Sequence, residues 1–202
     1  MTRSIPLAVV ALVVGLVLTA APAAAYDPDI TFQQGTFVLS LEGGGGAQTQ
    51  GPDGHGHTGL KLWYLGARAS ILPFSPLGKG YPFYGSLEAG LEPIYQRYDS
   101  PVRGYWAGLT AVARYHFLSL GIFVPYLELG AGPGGTDLKV PEINSDFAFL
   151  LFGGAGAQVF VNDRMSLYAG YRLVHVSNGN TSQPNRGFEA HTGVGGLSFY
   201  FK

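Results

Sequence analysis

The stretch Leu60–Leu72, "LKLWYLGARASIL", decides what kind of fold this chain makes. Trp63, Leu65, Ala67, Ala69 and Ile71 occupy one set of alternate positions; Tyr64, Gly66, Arg68 and Ser70 occupy the other. Successive side chains on a strand point to opposite faces, so a period of two with one apolar face marks a β-strand. The pattern recurs. Leu87, Ala89 and Leu91 oppose Ser86, Glu88, Gly90 and Glu92, and Leu109, Ala111, Ala113 and Tyr115 oppose Thr110, Arg114 and His116. Leu127, Leu129 and Ala131 oppose Glu128 and Gly130. Leu167, Ala169, Tyr171 and Leu173 oppose Ser166, Tyr168, Gly170 and Arg172.

Two all-β folds fit such strands, a soluble sandwich and a membrane barrel. A sandwich turns its charged face to water. Here the polar face carries few lysines and many glycines, with isolated Arg and Glu, which suits a narrow closed interior. Arg68, Arg114 and Arg172 are expected to pair there with Glu88 and Glu128, because unpaired charge in such a space is costly. The Leu, Ala and aromatic faces then meet lipid. Eight strands are expected, near 36–44, 59–72, 83–93, 103–117, 122–132, 146–160, 164–178 and 188–201, forming an eight-stranded antiparallel transmembrane β-barrel. An even count puts both ends on the periplasmic side. The segments "GGGGAQTQGPDGHGHT", "PIYQRYDSPV", "GPGGTDLKVPEINS" and "GNTSQPNRG" read as outer loops, and "FLSLG" and "VNDR" as inner turns. "PFSPLGKGYP" is long for an inner turn.

The N-terminus agrees with export. Arg3 precedes the apolar run "LAVVALVVGLVLTA", and Ala23 and Ala25 form an Ala-x-Ala site, so residues 1–25 read as a signal peptide and 26–202 as the mature barrel. Removing Arg3 from 12 basic residues, against 13 acidic ones, leaves a small negative balance that gives no argument for nucleic acid. The absence of cysteine excludes disulfides, thiolate metal sites and a lipoprotein anchor.

Near the C-terminus lies "YRLVHVSNGNTSQPNRGFEAH", Tyr171–His191. Continuing the outward parity of Leu167, Ala169, Tyr171 and Leu173 places His175 and Ser177 on the lipid face. Counting back by twos from Phe201, Phe199 and Leu197 reaches Glu189. A serine, a histidine and a carboxylate thus converge on the barrel exterior at its outer rim, where polar groups are expensive. Residues i and i+2 lie about 6.6 Å apart, close enough for long side chains to lean together. Imidazole can then act as base to the serine, with the carboxylate holding its other nitrogen. The same residues also suit a polar girdle at lipid headgroups, and spacing alone leaves both readings open.

"HVSN" followed by "QPNRG" and a glutamate resembles the signature of the PagL family of outer-membrane lipid A 3-O-deacylases. The matching positions are His175, Ser177, Asn178, Pro184, Asn185, Gly187 and Glu189. The resemblance implies an eight-stranded barrel with an exterior triad: Ser177 as nucleophile, His175 as base, Glu189 as orienter and Asn178 in the oxyanion hole. It also implies lipid A of lipopolysaccharide as substrate, the cell outer membrane as location, no cofactor, and a monomer or dimer. Two departures stand out: Gly179 replaces a common alanine, and Lys202 rather than an aromatic ends the chain. The rival readings are an outer-membrane phospholipase and a structural or adhesive barrel.

Other signals are weaker. His55 and His57 form a pair where metal sites want three or four ligands. The glycines at 43–46 lack the Lys-Ser/Thr and helix of a phosphate loop. His116, on the interior face, is expected to be a hydrogen-bonded core histidine.

Overall fold

The computed structural model describes residues 26–49, 58–184 and 186–202. The expected signal peptide, the His55/His57 pair and Asn185 lie outside the described residues. A short helix, α1 (Pro28–Thr31), precedes strands β1 (Phe37–Gln48), β2 (Lys61–Ile71), β3 (Gly85–Ser100), β4 (Gly104–Phe117) and β5 (Phe123–Thr136). A two-stranded hairpin, β6 (Lys139–Val140) and β7 (Ile143–Asn144), follows. Then come β8 (Phe147–Asn162), β9 (Met165–Ser177) and β10 (Phe188–Phe201). The eight long strands close in the order β1-β10-β9-β8-β5-β4-β3-β2, every pair antiparallel. Closure leaves no strand edge unpaired, which a sheet in lipid requires.

The alternation read from the sequence governs which side each residue takes. Leu65, Leu91, Leu109, Leu127, Leu129, Tyr171 and Leu173 are exposed on the outer wall, whereas Arg68, Glu92, Arg114, Glu128 and Arg172 are buried inside. Three expected loops differ. "GGGGAQ" continues β1 to Gln48. "PIYQRYDS" continues β3 to Ser100, because Ile94, Gln96 and Tyr98 keep the inward parity and are buried. "GPGGT" likewise extends β5, and the rest of that loop folds into the β6–β7 hairpin.

The interior is filled in three tiers. Toward the end that carries the β6–β7 hairpin, apolar side chains such as Leu62, Ile94, Trp106, Leu150, Phe152 and Val174 form a buried cluster. Mid-barrel, Arg68 pairs with Glu92 at 2.8 Å and Glu42 at 3.2 Å, and Arg114 pairs with Glu128 at 2.8 Å. Arg172 spans Glu42 and Glu128, the latter at 2.6 Å. The expected pairing is therefore present but wider than anticipated, since Glu42 and Glu92 join it. At the other end, Phe32, just past α1, packs with Val38, Leu72, Phe160 and Tyr200. Asp27 and Thr31 tie this segment to Asp163, between β8 and β9. Among the described residues these three tiers fill the interior.

Candidate active site

The motif residues His175, Ser177 and Glu189 lie on the outer wall of the barrel. β9 and β10 run antiparallel with His175 directly opposite Glu189, and both side chains face outward. His175 Nδ1 lies 3.0 Å from Glu189 Oε1. The two side chains are 38% and 33% exposed, so the pair is reachable from outside yet partly shielded. An imidazole whose Nδ1–H is held by a carboxylate keeps Nε2 as the accepting nitrogen. No hydrogen bond among the described residues occupies Nε2.

Ser177 ends β9 on the same outward face, half-buried, opposite Phe149 of β8. Among the described residues its hydroxyl makes no hydrogen bond to His175. The two stand at i and i+2, so a modest lean of either side chain is needed to join them, and such contacts commonly tighten only once substrate is bound. Beside the serine runs an apolar strip of Phe147, Phe149 and Leu151, all exposed. Phe147 and Phe149 meet edge to face at 5.0 Å between ring centres.

Asn178 points inward rather than outward. It keeps the inward parity of β9 and is completely buried. Its amide Nδ2 donates to the carbonyl and the hydroxyl of Ser182, each at 2.9 Å, while Oδ1 accepts from the Asn180 backbone at 3.0 Å. These bonds tie the side chain to the loop after β9. Parity prevailed over the idea that Gly179 would let the amide swing outward.

Gly187 has a contact that sequence reasoning did not assign. It has φ of +66°, and a Cβ built there would lie 2.9 Å from His175 Cε1 and 3.2 Å from Nε2. Both the left-handed backbone and the close approach to the ring call for glycine. His116 is inside, as expected, with Nε2 2.8 Å from Glu88 and Nδ1 3.2 Å from the Gln158 amide. Among the described residues no group of three His, Cys, Asp or Glu side chains is placed to hold a metal ion.

The family model described as lipid A 3-O-deacylase (PagL) matches residues 63–198. The chain belongs to the PagL family. It is thereby a lipid A 3-O-deacylase, a carboxylic ester hydrolase of the outer membrane. The crystal structure of the outer-membrane enzyme PagL superposes with a TM-score of 0.58 at 20% identity, covering 78% of this chain and 97% of that one. Neisserial surface protein A gives the same TM-score at 16% identity, covering 83% of this chain and all of that one. These likenesses concern the fold. No curated relative matches the chain.

Proposed function

We propose that this PagL-family barrel removes the 3-O-linked acyl chain of lipid A with Ser177, His175 and Glu189 acting as a triad. Ser177 Oγ attacks the ester carbonyl while His175 Nε2 takes its proton. The tetrahedral intermediate collapses, and the imidazolium passes that proton to the departing sugar oxygen. Water, activated by the same nitrogen, then cleaves the acyl-enzyme and releases a 3-hydroxy fatty acid. Glu189 holds the tautomer and steadies the imidazolium, the orienting role of the third member of a triad. Asn178 contributes by folding the loop beyond the nucleophile. No cofactor enters these steps.

The observation that carries this reading is the 3.0 Å His175–Glu189 pair, set on the lipid-facing wall next to Ser177. An amphiphilic substrate suits that position, since its acyl chain can lie along Phe147, Phe149 and Leu151 without leaving the membrane. The reading includes export, with cleavage after Ala25, so that the mature chain begins at Tyr26.

Mass spectra of lipid A from cells expressing the protein test it. Wild type should strip one 3-hydroxyacyl group from the 3-position, and Ser177→Ala should leave lipid A intact. Cleavage of glycerophospholipid instead, with lipid A untouched, would favour a phospholipase.

A further inference from the structure

Glu142, at the tip of the β6–β7 hairpin, lies some 30 residues before any motif residue, yet it is tied to the site at both its backbone and its side chain. Its main-chain carbonyl accepts from the backbone N–H of Arg186 at 2.9 Å and of Gly187 at 3.1 Å. Its carboxylate is 5% exposed as part of the residue and accepts three further bonds. Oε1 takes the Gln48 amide at 2.9 Å and the Thr58 backbone N–H at 2.6 Å; Oε2 takes the Thr58 hydroxyl at 2.7 Å. Burial opposes its charge, but the bonds from Thr58 and Gln48 outweigh that and hold the carboxyl below its ordinary value. One residue thus joins the end of β1, the loop before β2, the hairpin and the loop before β10. Ser182 adds a bond from the adjacent loop to the Asn144 carbonyl at 3.3 Å.

The chain of contact continues to the imidazole. Gly187, held by the Glu142 carbonyl, lies against the Cε1–Nε2 edge of His175. Glu189 fixes the ring at Nδ1, and the Gly187 backbone bounds it on the opposite edge. A backing at that edge restricts the ring, because an imidazole held at one nitrogen can still swing about that bond.

We infer that Glu142 is a positioning residue for the deacylase, seating His175 through Gly187 and locking the first, third and fourth outer loops into one support. It touches no reacting atom. This rests on the proposed role of His175. Misplacing a catalytic group by about 1 Å can cost on the order of 10²-fold in rate. Glu142→Ala should therefore lower kcat by about 10- to 100-fold, with KM changed less than about threefold.

The hydrogen-bond pattern makes a sharper statement. Both N–H donors converge on Oε1, and Oε2 faces only a hydroxyl, which can accept as readily as donate. A glutamine amide can satisfy all three partners, so Glu142→Gln should stay within about threefold of wild type.

The test uses full-length barrels refolded in detergent, each checked for heat-modifiable mobility. Turnover on lipid A is measured beside the imidazole Cε1 resonance of His175, assigned by its loss in His175→Ala. Glu142→Ala should shift or broaden that resonance and depress kcat, and Glu142→Gln should restore both. Thr58→Val, which removes a single hydroxyl, should show a smaller change in the same direction and serves if Glu142→Ala does not fold. An unmoved resonance with unchanged kcat in the folded variants overturns the inference. So does a Glu142→Gln variant as impaired as the alanine. An inactive wild type with a Glu142-dependent resonance would instead count against the catalytic reading alone.

Discussion

His116 lies 2.8 Å from Glu88 inside the barrel, and His175 lies 3.0 Å from Glu189 outside it. The two pairs share chemistry and nearly share geometry. They differ in what surrounds the remaining nitrogen. Gln158 fills the second position of His116, and neither His116 nor Glu88 meets solvent or lipid to any useful degree. His175 keeps Nε2 unoccupied among the described residues, beside a serine and an apolar strip. A histidine–carboxylate pair becomes a site only when its other nitrogen is open and a nucleophile and a substrate path adjoin it. Enclosed and saturated, the same pair is part of the core.

Substitutions should separate the two pairs. The largest effects on turnover are expected from Ser177→Ala and His175→Ala, on the order of 10⁶-fold by analogy with loss of the proton-transfer pair in serine proteases. Both should fold, since neither belongs to the interior tiers. Glu189→Ala should cost about 10⁴-fold, the scale seen when only the orienting acid is removed. His116→Ala should show the opposite profile, with turnover per folded molecule near wild type and a lower unfolding temperature. Heat-modifiable mobility measured alongside release of fatty acid distinguishes the cases.

The interior network sharpens the contrast. Glu128 accepts from Arg68, Arg114 and Arg172, so Glu128→Gln leaves buried positive charge without its counterion. Breaking one partner of a buried pair costs about 3–5 kcal/mol. Denaturant midpoints should register that loss while kcat per folded barrel stays within a few-fold. A variant that lost activity with full stability would place Glu128 in the chemistry and erase the distinction between inside and outside.

Asn178→Ala should fall below Glu189→Ala in its effect on rate. Losing its bonds to Ser182 costs local order, of about 1–3 kcal/mol for a buried group left unpaired. The visible consequence should be faster proteolysis in the 179–187 loop, with a moderate fall in kcat. A rate loss as large as that of Glu189→Ala, with no change in loop protection, would return the amide to the oxyanion role that the family resemblance suggests. Smallest of all, Phe149→Ala should raise KM for long-chain substrate several-fold and leave kcat nearly unchanged, as expected for a residue that binds chain and transition state equally.

Much of this was legible in the sequence because strand parity is a local code. Counting by twos from Leu167 and from Phe201 put His175 and Glu189 outside, and the register pairs them. The same count put Asn178 inside, and the structure keeps it there despite the glycine that follows. What parity could not supply were contacts set by closure of the whole barrel. Thr58 and Glu142 are 84 residues apart, and no periodicity links them. Glu42 sits beside Gly43–Gly46, where glycine obscures the alternation, so its place in the ion network was hidden. "PIYQRYDSPV" read as a loop because proline and charge resemble turn chemistry. Pro93 faces outward, pairs with Leu109 of β4 and has no ladder partner on β2, so the strand runs on past it.

Release of 3-hydroxy fatty acid from purified lipid A, compared for folded wild type, Ser177→Ala and His116→Ala, tests the central claim most directly. The exterior pair as active centre predicts release by wild type and His116→Ala and none by Ser177→Ala. Release by Ser177→Ala at the wild-type rate would contradict it and remove the nucleophile from this wall of the barrel.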